Sequence, residues 1–241
     1  DTLDLNDERV FRDLSKPVGA LSDEHLEQLK AHSLEIPDSD PYLFHTGPSC
    51  IITVCSFLVR MEPFSSVHQN IQGGKFDVST RLFTSINATY EQIASPSGDF
   101  RELTPEFFCQ PEFLVNSNHF DLGLELDGVQ LPPWAHGSIH EFIYLHRKAL
   151  ESEYVSNHLN EWIDLLFGNK QRSLDANNVY KRELYPDIWD TKMDEGKMEV
   201  TEQELSLVGQ IPQQLFTTNH LKRHEKDYKE QTRRSLSNIS A

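Results

Sequence analysis

The chain contains 241 residues, and its 22 Lys and Arg against 38 Asp and Glu give a formal net charge of −16. Its 37% hydrophobic content, with 14 Phe, is enough to build a folded core and excludes a wholly disordered chain. The acidic balance argues against attraction of the whole chain to nucleic acid or to an anionic bilayer.

The cysteines and the chain start bear on the compartment. Cys50, Cys55 and Cys109 form no C-x-x-C pair, and their odd number argues against a secreted disulfide scaffold and favours a reduced, cytosolic environment. The polar start shows no signal peptide, and no apolar run approaches the ~20 residues of a membrane span. We therefore expect neither export by a visible signal nor a transmembrane helix. The missing initiator Met is consistent with a fragment.

The first helical pattern has Ser22 as its expected N-cap, with Leu26 and Leu29 on one face. Residues 35–49 carry three Pro and one Gly and are predicted to form an irregular loop. The apolar run 50–61 fits either a buried helix, by its length, or a strand, by its β-branched content. We favour a helix because no strand with an alternating pattern lies nearby.

The middle of the chain is less regular. Gly73 and Gly74 are expected to supply a positive-φ turn. Residues 79–94 are predicted to be an amphipathic helix. Its apolar positions are Leu82, Phe83, Ile86, Tyr90 and Ile93. Residues 103–123 combine two Pro with four Phe, which predicts a buried, turn-rich connector whose backbone polar groups need many partners.

Two further helices follow. Ser138 and Glu141 form an S-x-x-E capping box at the start of the first, and the second runs to Gly168.

The last part of the chain is more polar. Residues 186–203 are predicted to be an exposed loop, with Thr201 and Glu204 as another capping box. From residue 220 onwards we expect a solvated helical tail or linker. We divide the chain into a domain over 1–223 and a polar basic tail or linker over 224–241.

Histidine pairs and possible nucleophiles give no sign of a metal or catalytic site. His136 and His140 are four residues apart, as are His220 and His224, but neither pair forms the H-E-x-x-H arrangement. There is no G-x-S-x-G and no P-loop, and nothing nominates a base for Cys50. We predict no metal, no cofactor and no catalytic residue.

Residues 147–172 are dense in the side chains that catalyse reactions. Glu151 and Glu153 precede a helix and Lys170 and Arg172 follow it, which is the placement that a helix dipole favours. Packing and ion pairing, a docking surface for a partner, or catalysis by Glu151, His158 and Asp164 all remain open. The candidate partner-binding residues are Trp134, Arg147, Lys148, Glu151, Glu153, His158, Trp162, Asp164, Lys170 and Arg172.

Long motifs run through the chain in an order that resembles the BEACH domains of Beige, neurobeachin and their relatives. The resemblance covers about residues 1–223 and is strongest to the Beige/lysosomal trafficking regulator branch. The motifs are FRDLSKPVGA (11–20), LVRMEPF (58–64), QGGKFDV (72–78), RELTPEFFCQPEFLVNSNHFDLG (101–123), VQLPPWAHGS (129–138), residues 141–172 in full and GQIPQQLF (209–216).

The resemblance implies a mainly α, BEACH-type fold, with helices around a core of extended irregular segments and little regular sheet. It also implies an upstream PH-like domain and downstream WD-repeat propeller blades in the full-length protein. The expected function is that of a non-catalytic interaction domain in a cytoplasmic scaffold, peripheral to endosomal or lysosomal membranes. Such scaffolds act with proteins of the trafficking machinery in vesicle transport, autophagy and lysosome size.

Three alternatives to that function stay open. The first is a receptor-signalling adaptor of the BEACH/WD-repeat type. The second is a hydrolase acting on lipids, and the third is direct membrane binding through the basic residues of 220–234.

We expect partners to bind a groove bordered by the helices of 138–172 and the LPPWAHGS turn (131–138), and departures from the family pattern affect its details. The usual opening motifs similar to NFEYLM and YPVFPW are missing, which suggests that the domain lacks its N-terminal part. Thr46-Gly47-Pro48-Ser49 replaces a Thr-His-Tyr-Ser run, and Asn169 and Ser173 replace an aromatic residue and a Gly. Lys181 and Arg182 stand where the Beige branch has His-Pro.

Overall fold

A computed structural model describes residues 2–35, 41–48, 50–94, 101–123, 128–190 and 195–223. The fold in these ranges is mainly α, as predicted, and the extended segments form isolated β-bridges rather than a sheet. The α-helices are α1 (Asp23–Glu35), α2 (Ile51–Phe57), α3 (Phe64–Ile71), α4 (Ile86–Ala94), α5 (Glu106–Cys109), α6 (Ile139–Leu150), α7 (Glu153–Leu166) and α8 (Glu195–Val208). Short 3-10 turns connect several of them, including Pro111–Leu114 and Pro133–Ala135.

The main hydrophobic core is built from aromatic rings that come largely from irregular segments. Phe57 of α2 meets Phe83 and Phe107 edge to face, with ring centroids 5.2 and 5.0 Å apart. Phe107 also contacts Phe113, at 4.7 Å, and Phe142 of α6, at 6.4 Å. Such pairs stabilise a core by about 0.5–1.5 kcal/mol beyond the area they bury.

The segment 101–123 is the buried, turn-rich connector that the sequence predicts, since both Phe107 and Phe113 are buried. Its irregular backbone finds hydrogen bonds outside regular structure. The Asn116 side chain donates to the carbonyl of Phe120 at 2.8 Å and accepts from the N–H of the same residue at 3.0 Å. Asn118 donates to the backbone carbonyl of Arg60 at 3.0 Å. Side-chain amides therefore take the place of a sheet ladder here.

A second core joins the two ends of the described chain. Phe44 pairs with Tyr180 in a parallel bridge, and their rings lie 5.0 Å apart. Leu184 and Ile211 are buried in the same cluster, and the Ile211 N–H donates to the Leu184 carbonyl at 2.7 Å. The segment after α8 is therefore anchored at its beginning by this core.

Several local predictions are confirmed. Ser22 caps α1 by accepting from the N–H of His25 at 3.3 Å, and Ser138 caps α6 by accepting from the N–H of Glu141 at 3.2 Å. The run 50–61 is helical over Ile51–Phe57 and forms turns after it, and both Cys50 and Cys55 are buried. Gly73 and Gly74 have φ values of 75° and 94°.

The helix predicted over 79–94 begins only at Ile86, so the prediction is wrong for its first seven residues. Tertiary hydrogen bonds compete with helix formation at this point. The N–H of Gln130 donates to the Thr84 carbonyl at 2.8 Å, and buried Arg60 donates to the Phe83 carbonyl at 2.7 Å. These two carbonyls therefore accept hydrogen bonds from distant donors and not from the N–H groups of a helix.

The exposed loop predicted over 186–203 is also wrong where the structure describes it. Pro186–Asp190 is a 3-10 turn, and α8 covers Glu195–Val208, while 191–194 lie outside the described residues. Thr201 is buried in the middle of α8 rather than capping it, and Glu204 accepts from Lys181 at 2.8 Å. Packing of α8 against α2 overrides the weak helical signal of this polar stretch.

We expect Phe107→Ala to lower the free energy of unfolding by about 3–5 kcal/mol, because it leaves a cavity among four contacting rings. Urea denaturation followed by circular dichroism measures the change. Phe216→Ala is the control, since Phe216 is 37% exposed and its loss should cost less than about 1 kcal/mol. Equal costs for the two variants would contradict the core described here.

Candidate functional site

Helix α7, at the centre of the charged segment 147–172, lies between two segments from opposite ends of the chain. Ser152 caps it by accepting from the N–H of Val155 at 3.2 Å, and Glu153 follows in its first turn. Residues 11–12 contact one flank of the helix, and residues 212–223 run along it from its C-terminal end back to Glu153 at its start. The helix thus holds both segments in place.

The N-terminal segment is attached through aromatic stacking and one carboxylate. Phe11 stacks on Tyr154 with centroids 4.7 Å apart, and the Tyr154 hydroxyl donates to the Arg12 carbonyl at 3.2 Å. Arg12 pairs with Glu102 at 2.9 Å, and the Trp162 indole N–H donates to the same carboxylate at 3.4 Å. Glu102 and Arg12 are not among the predicted site residues, because their only signal in the sequence is their position inside family motifs.

The C-terminal segment is attached by several hydrogen bonds, one of which is accepted by the buried carboxylate of Asp164. This side chain is 3% exposed and accepts from the backbone N–H of His220 at 2.7 Å. Gly168 allows the chain to turn closely past it, because a Cβ there would lie 2.6 Å from the Asp164 Cα. The backbone N–H groups of Leu215 and Phe216 donate to the Phe167 carbonyl at 2.7 and 3.0 Å.

A groove of about 410 Å³ opens between α7 and residues 220–223, and we call it the α7 groove. One wall is the α7 face made by Ser156, Leu159, Asn160 and Ile163, and the other is His220, Leu221 and Arg223. Glu151 and Glu153 close one end. Arg223 approaches Glu153 at 3.5 Å, and the Glu153 side chain is 74% exposed.

The ten predicted partner-binding residues fall into separate groups. Glu151 and Glu153 line the groove, and Arg147 and Lys148 are exposed at the end of α6. The Lys148 ammonium lies 5.5 Å from the centre of the Tyr144 ring. Whether any of these exposed residues binds a partner stays a prediction.

The other six have contacts within the domain. Trp134 stacks on Phe142 at 5.6 Å, at the edge of the main core and outside the groove lining. Trp162 and Asp164 hold the two flanking segments, as described above. Lys170 and Arg172 follow α7 as expected, and the Arg172 guanidinium lies 4.0 Å from the centre of the Tyr185 ring.

The three residues considered for catalysis are not joined to one another. His158 hydrogen-bonds Glu161 at 3.1 Å and packs on Tyr154, while Asp164 accepts from a backbone N–H. Across the described ranges, no group of three His, Cys, Asp or Glu side chains is placed to hold a metal ion. His136 lies 3.3 Å from Glu141, and His224 lies outside the described residues.

His146 is the most perturbed titratable group near this site. Its ring lies 4.1 Å from Phe142 and 6.0 Å from Trp134, and its Nδ1 is buried without a hydrogen-bond partner in the described structure. Burial lowers the pKa of His146 from 6.5 to about 4, so the ring is neutral at pH 7. It serves as a core ring at the base of α6.

The helices of the described ranges include none long and apolar enough to cross a membrane. The family model for the Beige/BEACH domain matches residues 1–223, which covers every element described above. The chain belongs to the BEACH domain family.

Several BEACH proteins are similar to nearly the whole chain. BEACH domain-containing protein B of Arabidopsis thaliana is 43% identical over 235 residues, 92% of this chain and 9% of that protein. Human WD repeat- and FYVE domain-containing protein 4 is 42% identical over 237 residues, 91% of this chain and 7% of that protein. Beige protein homolog 1 of Saccharomyces cerevisiae is 42% identical over 234 residues, 90% of this chain and 11% of that protein. This BEACH domain therefore spans about a tenth of the length of these relatives.

In the BEACH domain we expect Asp164→Ala to loosen the C-terminal segment. The variant removes the acceptor of the His220 N–H, and a hydrogen bond to a charged group contributes about 1.5–3 kcal/mol. Amide exchange of residues 212–222 should accelerate roughly 10–100-fold, as read by hydrogen–deuterium exchange with mass spectrometry.

Two matched variants separate this effect from general destabilisation. Asp164→Asn keeps an acceptor oxygen and should accelerate exchange less than Asp164→Ala does. Asp175→Ala removes an exposed carboxylate and should leave the segment unchanged. Unchanged exchange in Asp164→Ala would show that other contacts hold the segment.

The BEACH domain should also lose stability in mild acid because His146 must be buried neutral. Since its folded pKa is lowered, the unfolded state binds more protons between the two pKa values, and stability falls as pH falls below 6.5. One such group accounts for up to about 2 kcal/mol between pH 6.5 and 5.

His146→Phe should flatten the pH dependence of urea midpoints in this window, whatever its effect at pH 7. The exposed His140→Phe is the control and should keep the wild-type slope. Burial also lowers the pKa of His68, so part of the slope remains in every variant. Identical slopes for the two variants would argue against a buried neutral His146.

Proposed function

We propose that the chain is a non-catalytic protein-interaction domain of a large Beige-like scaffold. Its role is in vesicle trafficking and in setting the size of lysosomes or lysosome-related organelles. Membership of the BEACH family supports a scaffold function. The relatives support it as well, since this domain spans only about a tenth of their length.

The observation that carries this proposal is how the polar residues of α7 are used. The side chains with catalytic chemistry are engaged inside the domain, His158 with Glu161 and Asp164 with the His220 backbone. Exposed side chains of mixed character instead surround the junction of α6 and α7. These are Tyr144, Arg147, Lys148, Leu150 and Glu151. Aromatic and Arg residues beside apolar surface are typical of protein interfaces.

The wider context of the domain belongs to the same proposal. One similar protein is named for WD repeats, which fits a propeller elsewhere in the full-length scaffold. An upstream PH-like domain completes the expected arrangement. We place the scaffold in the cytoplasm, at the surface of endosomal or lysosomal membranes, where its partners are proteins of the trafficking machinery.

We expect the double variant Arg147→Ala/Glu151→Ala to bind these partners at least about tenfold less well, as loss of two interface residues can do. The immobilised 241-residue chain is incubated with cytosol, and retained proteins are compared by quantitative mass spectrometry. Trafficking proteins retained by the wild type should be depleted with the variant.

Lys75→Ala/Glu91→Ala is the matched control, because it removes one exposed cation and one exposed anion elsewhere on the surface. Unaltered recovery with a folded Arg147→Ala/Glu151→Ala variant would refute this part of the surface as the docking site. Trp134 is left in place because its loss would disturb the Phe142 stack.

A further inference from the structure

Both walls of the α7 groove carry apolar side chains that are open to solvent. Leu159 of α7 is 42% exposed and Leu221 of the opposite wall is 83% exposed, with Ile163 beside them. A volume of about 410 Å³ falls within the range of roughly 300–1,000 Å³ of protein ligand sites. Burying Leu159 and Leu221 against an apolar side chain would be favourable, because it removes their apolar surface from water. Exposed apolar clusters in concave places are also typical of binding sites.

The end of the groove at the start of α7 is acidic. The Glu151 side chain is exposed and takes part in no ion pair with any residue that the structure describes. Glu153 pairs with Arg223 at 3.5 Å, but its side chain is 74% exposed, so this pair is worth little and is easily replaced. The net charge of −16 adds long-range attraction for a cationic ligand.

Polar side chains on the same α7 face suit a peptide backbone. Ser156 and Asn160 are one helical turn apart in the groove wall. Asn160 Oδ1 is shielded from water and has no hydrogen-bond partner among the described residues. Leaving such an oxygen without a hydrogen bond costs free energy. Rotation of the Asn160 side chain would turn Oδ1 towards the groove, where it would accept a hydrogen bond from a peptide N–H.

The spacing along α7 defines the length of ligand that fits. Glu153 precedes Leu159 by six positions and Ile163 by ten, which at 1.5 Å per residue is about 9–15 Å. An extended peptide covers that distance in about three to five residues, at roughly 3.3 Å per residue.

We infer that the α7 groove binds an extended peptide of a partner protein that carries a Lys or Arg three to five residues from a Leu, Ile or Phe. The inference rests on the proposed function, because it names the partner class for the same surface. The cation pairs with Glu151 and Glu153, and the apolar side chain covers Leu159, Ile163 and Leu221.

The test uses synthetic peptides in which one Lys and one Leu are separated by zero to seven residues in a Ser-Gly background. Fluorescein-labelled peptides are titrated with the 241-residue chain and followed by fluorescence anisotropy. We expect the tightest binding when the Leu lies three to five residues from the Lys. Affinity should fall as salt is raised, because the pair with Glu151 is exposed.

Two variants place the peptide in the groove. Glu151→Gln should weaken the best peptide about two- to fivefold, and Glu91→Gln on exposed α4 should not. Leu159→Asp should weaken it about tenfold, whereas Leu174→Asp, at a site that is 60% exposed, should not. Glu151→Lys should bind the corresponding peptide with Glu in place of Lys better than the wild type does.

Three results would overturn the inference. They are affinities that do not depend on the Lys–Leu spacing, binding that Leu159→Asp and Leu174→Asp weaken equally, and a wild-type dimer in sedimentation that Leu159→Asp dissociates. The last would show that a second copy of the chain fills the groove.

Failure of the inference can be told apart from failure of the proposed function. If Arg147→Ala/Glu151→Ala loses its cytosolic partners but no peptide binds selectively, the interaction surface stands and the peptide class is wrong. If the best peptide binds and displaces the retained proteins, both stand. If the best peptide binds, but neither the peptide nor Arg147→Ala/Glu151→Ala changes the recovery of cytosolic proteins, the groove binds peptides and the proposed docking of partners is wrong.

Discussion

The Glu102 carboxylate fixes the position of α7 relative to the start of the domain. Arg12 donates to both of its oxygens, at 3.0 and 2.9 Å, and the Trp162 indole donates at 3.4 Å. The backbone N–H of Glu102 is itself tied to the Pro48 carbonyl at 2.8 Å. Because the Glu102 side chain is only 18% exposed, these charge-assisted bonds are stronger than those of a surface pair. Without the Glu102 carboxylate, the Arg12 guanidinium and the Trp162 indole would lose their acceptor, and α7 would lose one of its contacts with the start of the domain.

Side-chain amides play the corresponding part on the other flank and in the irregular core. Gln171 donates to the Leu166 and Pro212 carbonyls, and Asn178 donates to the Leu165 carbonyl at 2.8 Å. A sheet would satisfy such groups through neighbouring strands, but the extended segments that the structure describes pair as isolated bridges. A fold of this kind therefore depends on particular Asn and Gln residues as much as on apolar ones.

Sequence patterns predicted the fold where local signals and tertiary packing agree. The caps at Ser22 and Ser138 and the helical start of the apolar run at residue 50 depend on near neighbours in the chain, and all three were correct. The errors at 79–85 and 186–203 share a cause. In each case a contact more than 20 residues away decides the backbone, as when Arg60 takes the Phe83 carbonyl. Periodicity contains no information about such partners, and the irregular core was anticipated by the Pro and Phe content of 103–123 and by the family resemblance.

The candidate site shows the same division. Helical spacing and the helix dipole correctly placed the charges of 147–172 around α7, but not the segments that pack on it. Glu102 and the residues after 209 are far away in sequence, so no local pattern could connect them to Trp162 or Asp164. Once those contacts are known, the polar residues of 147–172 divide into buried ones, which bind other parts of the domain, and exposed ones. Buried Asp164 and half-buried Trp162 hold the domain together, whereas Glu151 is exposed beside the α7 groove and forms no ion pair with any residue that the structure describes, so its charge is accessible to a ligand.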